Sequence, residues 1–289
     1  MSNIILTKVS FAKNVKGFNF KPKLNNTQRS KLLNQIDEVC KDFNFNECSV
    51  DDNELLQLKL VNSPITYTDK SNQALIEVLS GEHLNIGCVN SDIYSAYENA
   101  KKLDKMFCDK VHFVYDDKLG FLTSNLDLLG SGLQVGIKIM LPAIHKLEAL
   151  KMLPKSQEQL KFDITDLNNG VYLITTGANL GYSEKDVCKL TNDYLDKIMK
   201  YEIEACKQLI SQDKDEVEDK SLRAKAILNS CIKIAPSEVY SLVGDILIWI
   251  NSGNTIDFDV KNIISCIDYL NSNPIRDKEL AKNIKKFIK

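Results

Sequence analysis

The feature that most constrains the fold is a glycine-centred turn inside residues 120–142, GFLTSNLDLLGSGLQVGIKIMLP. After the turn, Lys138 alternates with apolar neighbours, as a strand residue facing solvent or a groove does. Gly130, Ser131 and Gly132 form either an ordinary turn or a loop that approaches a phosphate, and the fragment alone is more typical of a turn. The sequence has no Lys or Arg between positions 120 and 137. The stretch therefore has the skeleton of a phosphate-binding loop without its charges.

Composition indicates a globular protein with a substantial core. The chain has 289 residues, of which 44% are hydrophobic and 26% are charged, and this length suits one large domain and one small domain. The net charge of -2 gives no electrostatic reason to expect nucleic acid or an anionic membrane as a partner. No apolar run approaches the ~20 residues of a membrane helix, and the start MSNIILTKVS lacks the pattern of a signal peptide. We therefore expect a cytoplasmic protein.

The eight cysteines are scattered and include no Cys-x-x-Cys pair. This spacing argues against a zinc site and against a dense disulfide framework. We therefore expect buried, reduced thiols and no metal.

Hydrophobic spacing predicts a mixed α and β chain that is helical at its end. The N-terminal residues have the pattern of strand and loop, and residues 27–43 have the spacing of a helix. Ser183 and Asp186 have the form of a capping box that begins a long helix. The stripe of that helix predicted to face the core consists of Val187, Leu190, Tyr194, Ile198 and Tyr201. Residues 211–220 are predicted to be a solvated helix end or connection, and short helices are expected from Pro236 onward.

The stretch 120–142 resembles the signature of the ATP:guanido phosphotransferases, and most closely that of the bacterial protein-arginine kinases. There an aromatic-Leu-Thr strand runs into Cys-Pro-Thr-Asn and then Gly-Thr-Gly-hydrophobic-Arg-Ala-Ser. The residues that fit are Phe121, Leu122, Thr123, Ser124, Gly130, Gly132, Leu133, Leu141 and Pro142. Residues 81–113 resemble the family's Glu-Glu-Asp-His strand and the helix after it, and 170–190 resemble its late strand and next helix start. With 7–14 resembling Ser-Arg-Ile-Arg-Leu-Ala-Arg-Asn, the resemblance spans nearly the whole chain.

The resemblance implies an α+β fold. It consists of a guanido kinase catalytic-domain-like antiparallel sheet flanked by helices, and a small C-terminal helical domain. We place the guanido-phosphotransferase-like domain at residues 1–233 and the C-terminal helical interaction domain at residues 234–289.

The chemistry of the family demands concentrated positive charge. Transfer of a γ-phosphoryl group to a guanidinium requires a neutralised triphosphate, aligned reactants and a carboxylate that orients and deprotonates the acceptor nitrogen. In the family several arginines together bind the phosphates, because the planar guanidinium donates bidentately to oxyanions. This chain has 37 basic residues, of which only Arg29, Arg223 and Arg276 are arginines. The sequence therefore cannot supply the family's full set of phosphate-binding arginines.

The family's arginine positions are substituted consistently. The paired N-terminal arginines fall on Lys8 and Ser10. The arginine after the family histidine falls on Asn85, and that of the glycine loop falls on Gln134.

The family's carboxylates and its reactive cysteine are also replaced. The catalytic glutamate falls on Gly81, with Glu82 and His83 in the next two places, and the cysteine falls on Asn125. The loop that carries a second substrate carboxylate is shortened to residues 163–169. Loss of one preorganised donor or base commonly costs about two to four orders of magnitude in rate. We therefore assign no catalytic residue and treat Gly81, Glu82 and Asn125 as degenerate positions.

Some of these side chains keep an alternative role. Lys8, Lys13 and Lys138 can contact a phosphate as point charges. Glu82 reaches the base position only if the strand register shifts by one residue, which would also turn its side chain to the other face. His83 is either a packed, hydrogen-bonded histidine or a nucleotide contact. The vestigial nucleotide-binding positions are thus Lys8, Ser10, Lys13, His83, Asn85, Gln134 and Lys138.

Near the C-terminus, residues 274–281, PIRDKELA, resemble the Arg-Asp-x-x-Arg-Ala motif of an accessory phosphoarginine-binding pocket in bacterial protein-arginine kinases. By this resemblance Arg276 holds the phosphate and Asp277 the guanidinium of one ligand. Leu280 replaces the second arginine. The alternative is that Asp277 merely lies in the first turn of the last helix, where the helix dipole favours an acid.

The resemblance with these losses implies a pseudokinase that acts as a regulatory or adaptor protein in arginine phosphorylation and Clp-protease quality control. The implied partners are proteins: a true arginine kinase, a zinc-finger activator or a Clp-type unfoldase, with a homo- or heterodimer as a further option. No cofactor is expected. Two alternatives stay open, an active ATP- and Mg²⁺-dependent protein-arginine phosphotransferase with a rebuilt site and a nucleotide sensor that does not hydrolyse ATP.

Overall fold

The computed structural model describes residues 3–48, 65–71, 73–267 and 276–286. The strands are β1 (Ile4–Lys13), β2 (Asn46–Cys48), β3 (Ile65–Thr68), β4 (Ala74–Val78), β5 (Leu84–Asn90), β6 (Tyr115–Asp116), β7 (Gly120–Phe121), β8 (Leu133–Met140), β9 (Ser156–Gln157), β10 (Leu160–Asp166) and β11 (Val171–Thr176). The helices are α1 (Asn26–Asp42), α2 (Ile93–Cys108), α3 (Pro142–Lys146), α4 (Glu184–Gln212), α5 (Lys214–Ser230), α6 (Pro236–Asn251), α7 (Val260–Ile267) and α8 (Arg276–Ile284). Short 3-10 helices lie at Lys21–Lys23, Leu126–Leu128 and Ala149–Met152.

In the described residues, nine strands form one antiparallel sheet in the order β2-β3-β4-β5-β1-β8-β11-β10-β9. The central strand β1 pairs with β5 and β8, so that Ser10 lies opposite both Gly87 and Gln134. Successive side chains of a strand point to opposite faces of the sheet. Val9 therefore packs into the main hydrophobic core, while Lys8 and Ser10 lie on the other face.

The main core lies between one face of the sheet and helices α1, α2 and α4. The spacing of apolar residues predicts α1 at 27–43, and the helix observed at Asn26–Asp42 confirms it. The capping box is also confirmed, since Ser183 and Asp186 exchange both hydrogen bonds at the start of α4. The core stripe predicted on α4 is wrong at Tyr201, which is 40% exposed. The buried stripe passes instead through Glu202, whose carboxylate accepts hydrogen bonds from backbone amides of α3.

A second hydrophobic cluster joins the C-terminal helices to one end of the sheet. Met140 of β8 and Val171 of β11 pack there with buried side chains of α5, α6, α7 and α8. The prediction for 211–220 is correct as a helix end, since α4 ends at Gln212, but the connection is Asp213 alone, which caps α5, and 214–220 are helical. The predicted fold class, an antiparallel sheet flanked by helices with a helical C-terminal part, is confirmed. The predicted boundary at 233 and 234 lies between α5 and α6 and stays a prediction.

Seven cysteine side chains are described; all are free thiols, and four of them are buried. The side chain of Cys266 lies outside the described residues. Among the helices that the structure describes, none has both the length and the apolar character needed to cross a membrane.

Candidate functional site

A cavity of about 480 Å³ lies against the sheet face opposite the main core. Its lining comes from β1, β4, β5, β8, β11, the loop between β4 and β5, and the segment before Leu133. The lining residues are Lys8, Ser10, Glu77, Ser80, Gly81, Glu82, Asn85, Ser124, Asn125, Leu128, Gln134, Gly136, Leu173 and Thr175. Seven of the positions singled out in the sequence meet there, namely Lys8, Ser10, Gly81, Glu82, Asn85, Asn125 and Gln134. Segments that are far apart in the chain thus form one site.

Strand pairing explains why these side chains meet. Ser10 lies opposite Gln134, and Lys8 lies opposite Gly136, which in turn lies opposite Thr175. Paired residues of neighbouring strands point to the same face. The floor of the cavity is therefore formed by the side chains of Lys8, Ser10, Gln134 and Thr175, with Gly136 among them.

Lys8 does not present an isolated charge to this cavity. Its ammonium group forms a buried ion pair with the carboxylate of Glu77, and both side chains are at least nine-tenths buried. Glu77 is on β4, and strand β5 lies between it and Lys8. Glu77 pairs with Asn85 and Lys8 with Val89, so Gly87 is the residue of β5 between them on the same face.

Glu82 is committed to holding the segment that follows β7. Its carboxylate accepts hydrogen bonds from Asn14 Nδ2 at 2.6 Å, from the backbone N of Ser124 at 2.9 Å and from that of Asn125 at 2.8 Å. The side chain is 1% exposed. The three donors hold the carboxylate in one geometry, because each hydrogen bond to the charged group favours that arrangement. Glu82 therefore positions the backbone of Ser124 and Asn125.

The two other degenerate positions offer no reactive group. Gly81 is exposed and has no side chain, and apart from its own residue and its chain neighbours no heavy atom lies within 4 Å of the point where a Cβ would stand. Asn125 caps the short helix Leu126–Leu128, since its Oδ1 accepts a hydrogen bond from the backbone N of Asp127 at 3.0 Å.

The Gly130-Ser131-Gly132 segment is a turn that leads into β8. Gly132 has φ +74°, and a Cβ at this position would lie 2.4 Å from the carbonyl O of Ala12. Ser131 Oγ accepts a hydrogen bond from the backbone N of Leu133 at 3.1 Å. The glycine is therefore required by close packing against β1, and the three residues are not among those that line the cavity.

Lys13 lies on the opposite face of β1 from the cavity. Its ammonium group is 3.4 Å from an Asp104 carboxylate oxygen and 2.9 Å from the ring centroid of Phe121. Burial lowers the pKa of Lys13, and the Asp104 carboxylate partly offsets this effect. The side chain thus joins β1 to α2 inside the core.

His83 is hydrogen-bonded on both ring nitrogens. Nδ1 lies 3.0 Å from the backbone N of Val15 and must accept from it, so Nε2 carries the proton and donates to the carbonyl O of Asn19 at 2.8 Å. Burial lowers the pKa of His83, which keeps the ring neutral at pH 7. These contacts favour the packed histidine over a nucleotide contact.

Lys138 is buried and not solvent-facing. Its Nζ donates to Tyr240 Oη at 3.1 Å and lies 5.3 Å from the centroid of that ring. Tyr240 is on α6, so this lysine links the sheet to the C-terminal helices and does not belong to the cavity lining.

The shortened segment 163–169 is the end of β10 and a tight turn into β11. Asn168, Asn169 and Gly170 all have positive φ, between +54° and +75°, as a compact hairpin turn requires. These residues are absent from the described lining of the cavity. The turn therefore brings no second carboxylate to the site.

The candidate pair Arg276 and Asp277 opens α8, with Asp277 in its first turn. The carbonyl O of Asp277 accepts a hydrogen bond from the backbone N of Ile234 at 3.2 Å. Asp277 is half-buried. A helix start at this position is confirmed, and phosphoarginine binding stays a prediction.

The described lining of the cavity offers little positive charge to a triphosphate. Among its described lining residues, Lys8 is the one basic group, and it is paired with Glu77. Lys21 nearby donates to the carbonyl O of Ser80. Two carboxylates, Glu77 and Glu82, line the same space; Glu77 is paired with Lys8, and Glu82 accepts three hydrogen bonds. Nor does the described part of the chain contain a cluster of three or more His, Cys, Asp or Glu side chains suited to a metal ion.

Glu77 was not among the residues predicted from the sequence to belong to the site. The signal was present, because an acid in the apolar run ALIEV of Ala74–Val78 requires a partner when buried. Its partner Lys8 is 69 positions away, which a pattern of local spacing does not reveal.

The fold and the cavity define a class of protein: an α+β kinase-like domain in which the family's motif positions surround one cavity on an antiparallel sheet. Residues 23–205 match the model of the ATP:guanido phosphotransferase C-terminal catalytic domain. The chain belongs to the ATP:guanido phosphotransferase family, as the resemblance predicted.

Known relatives agree with this assignment. The chain is 23% identical over 317 residues to the protein-arginine kinase of Clostridium acetobutylicum, with 98% of this chain and 93% of the relative covered. It is 25% identical over 269 residues to that of Clostridium botulinum, covering 84% and 79%.

Solved structures share the fold. The duplicated taurocyamine kinase of Schistosoma mansoni, with bound transition state analog components, superposes with a TM-score of 0.58 at 17% identity, covering 70% of this chain and 33% of that one. A lombricine kinase gives a TM-score of 0.54 at 15% identity, covering 69% and 66%.

Proposed function

We propose that this chain is a catalytically inactive member of the ATP:guanido phosphotransferase family, a pseudokinase that regulates arginine phosphorylation by binding another protein. The observation that carries the proposal is the charge of the cavity. The motif positions of the family meet there, and the single basic side chain among the described lining residues is neutralised by Glu77.

The remaining chemistry supports the same proposal. A base that deprotonates a guanidinium must be able to reach it, and Glu82 is held by three donors that fix the neighbouring backbone. Gly81, where the family has its catalytic glutamate, carries no group that can accept a proton. The effects of such losses on the catalytic rate do not simply add, but each loss alone lowers the rate by about two to four orders of magnitude.

The assay for inactivity uses purified protein, Mg²⁺ and ATP labelled on the γ-phosphate, with free arginine and an arginine-rich protein as acceptors. The protein-arginine kinase of Clostridium acetobutylicum serves as the active control. We expect no acid-labile label on either acceptor. Acid-labile phosphorylation that is lost in a folded Glu82→Ala variant would favour an active enzyme with a rebuilt site.

The regulatory role needs a separate experiment, because inactivity alone does not establish it. We propose that the partner is a true protein-arginine kinase, or else its zinc-finger activator or a Clp-type unfoldase. The chain keeps the family fold but not the family's arginines, and this supports a role as a scaffold that binds a protein partner. A zinc-finger activator and an unfoldase act in the same proposed system, so they belong in the same binding screen.

The test adds increasing amounts of the chain to a protein-arginine kinase from the same organism and follows phosphorylation of an arginine-rich protein. We expect the rate to change and to level off at a one-to-one ratio, and the heat-unfolded chain to have no effect. An unchanged rate, together with no binding to the activator or the unfoldase in calorimetry, contradicts the regulatory role.

A further inference from the structure

Three uncharged polar side chains of the cavity floor have hydrogen-bonding groups that the described part of the chain does not use. They are Ser10 on β1, Gln134 on β8 and Thr175 on β11, and all three line the cavity. Among the described residues, none of these side chains forms a hydrogen bond to another protein group. Ser10 is 4% exposed, and the other two are half-buried. Because buried polar groups need a partner, either water or a ligand must satisfy them.

Strand pairing fixes the spacing of the three side chains. Ser10 lies directly opposite Gln134, and directly paired residues have Cβ atoms about 4.5–5.5 Å apart. Thr175 lies opposite Gly136, two positions along β8 from Gln134, which makes it a diagonal neighbour at about 7–8 Å. One small molecule can therefore reach all three side chains at once.

The charged side chains of the lining are already engaged. Lys8 and Glu77 form a buried ion pair, and Glu82 accepts three hydrogen bonds. A charged ligand would lose its hydration without meeting a counter-charge that is available to it. An uncharged ligand loses much less hydration energy, so the described lining favours an uncharged ligand over an anion or a cation.

The remaining chemistry of the lining indicates which uncharged group fits. The carboxamide of Gln134 has a donor and an acceptor side by side, and a second carboxamide offers the complementary pair. Leu128 and Leu173 add an apolar part to the lining. The cavity volume of about 480 Å³ lies within the range of about 300–1,000 Å³ that small-molecule sites occupy.

We propose that the cavity binds an uncharged small molecule that carries a carboxamide next to an apolar group. Gln134 pairs with the carboxamide, Ser10 and Thr175 supply further hydrogen bonds, and Leu128 and Leu173 contact the apolar group. This inference rests on the proposed function, since a cavity that does not serve phosphoryl transfer is open to another ligand.

The experiment titrates the full chain with benzamide, benzoate and benzamidine. The three probes share one ring, and at pH 7 they carry an uncharged carboxamide, an anion and a cation. The amide NMR signals of the cavity strands report binding. We expect benzamide to shift the signals of Ser10, Gln134 and Gly136, and to bind at least about tenfold more tightly than either charged probe.

Variants test whether the floor side chains make the contact. Gln134→Leu removes the donor and the acceptor at similar size, and it should weaken benzamide binding about tenfold. Ser10→Ala removes one hydroxyl and should weaken it about threefold; this smaller change keeps the test decisive if Gln134→Leu does not fold. The matched control is Gln208→Leu, at an exposed position on α4 outside the cavity lining, which should leave the affinity unchanged.

Three results overturn the proposal. The first is that benzamide leaves the cavity signals unchanged, so that water alone satisfies the floor. The second is that benzoate or benzamidine binds as tightly as benzamide. The third is that the folded cavity variants bind benzamide like the wild type. These outcomes are distinct from failure of the proposed function, because phosphoryl transfer by the wild type contradicts the pseudokinase, whereas a silent wild type that does not bind benzamide contradicts this inference alone.

Discussion

Replacement of Glu82 by alanine is expected to reduce the stability of the fold, because this carboxylate holds backbone in place. The change removes the acceptor of three hydrogen bonds, at 2.6, 2.8 and 2.9 Å. A hydrogen bond to a charged group contributes about 1.5–3 kcal/mol. Asn14 is buried, so its amide would lose that full amount, whereas Ser124 and Asn125 are exposed and water can replace part of their loss.

These terms predict that Glu82→Ala lowers the free energy of unfolding by about 3 kcal/mol, within the range for disrupted buried polar networks. Urea denaturation followed by circular dichroism measures this quantity. Glu82→Gln keeps one acceptor oxygen but turns an NH₂ group toward a donor, so an intermediate loss is expected.

Gly81→Ala is the matched control next in the sequence. Its added Cβ meets no atom within 4 Å, so the free energy of unfolding should change by less than about 0.5 kcal/mol. The reasoning is refuted if Glu82→Ala unfolds at the same urea concentration as the wild type, or if Gly81→Ala loses as much stability.

Two further predictions concern sites away from the cavity. Burial raises the pKa of Glu202 to about 7 while its unfolded value stays near 4.5, so the folded state binds more protons between these values. The contribution of Glu202 to stability should therefore fall by about 3 kcal/mol as the pH rises from 4.5 to 7. Urea denaturation across this range should show a smaller loss of stability with rising pH in Glu202→Gln than in the wild type, and an equal loss contradicts the assignment. If Arg276 and Asp277 form a phosphoarginine pocket, calorimetry should detect phosphoarginine but neither arginine nor phosphate, with about tenfold loss in Arg276→Ala or Asp277→Ala and none in Lys278→Ala. Absence of heat from phosphoarginine, with both variants like the wild type, leaves the pair as a helix start.

Much of the fold was predicted from local sequence patterns and from family motifs that occur in the same order along this chain. Helix α1 and the capping box of α4 are local features, because helical spacing and a cap depend on residues only a few positions apart. The meeting of Lys8, Asn85 and Gln134 at one cavity was implied by the order of the motifs along the chain.

The parts that the sequence did not reveal depend on contacts between distant segments. Glu77 and Lys8 become partners only once β5 is placed between their strands. Tyr201 was expected in the core from its helical spacing, but two backbone amides of α3 donate to the Glu202 carboxylate and stabilise this acid in the buried position. The contact of Lys138 with Tyr240 likewise requires the C-terminal helices to be docked on the sheet.

The measurement that tests the central claim most directly is titration with MgATP, because the claim is that this cavity does not hold a triphosphate. A ligand present at about 100 times its dissociation constant stabilises a fold by roughly 2.7 kcal/mol. We predict no resolvable change in melting temperature at millimolar MgATP, under conditions in which the protein-arginine kinase of Clostridium acetobutylicum serves as the control. A rise of several degrees that Lys8→Ala or Gln134→Ala abolishes would contradict the account and favour a nucleotide sensor.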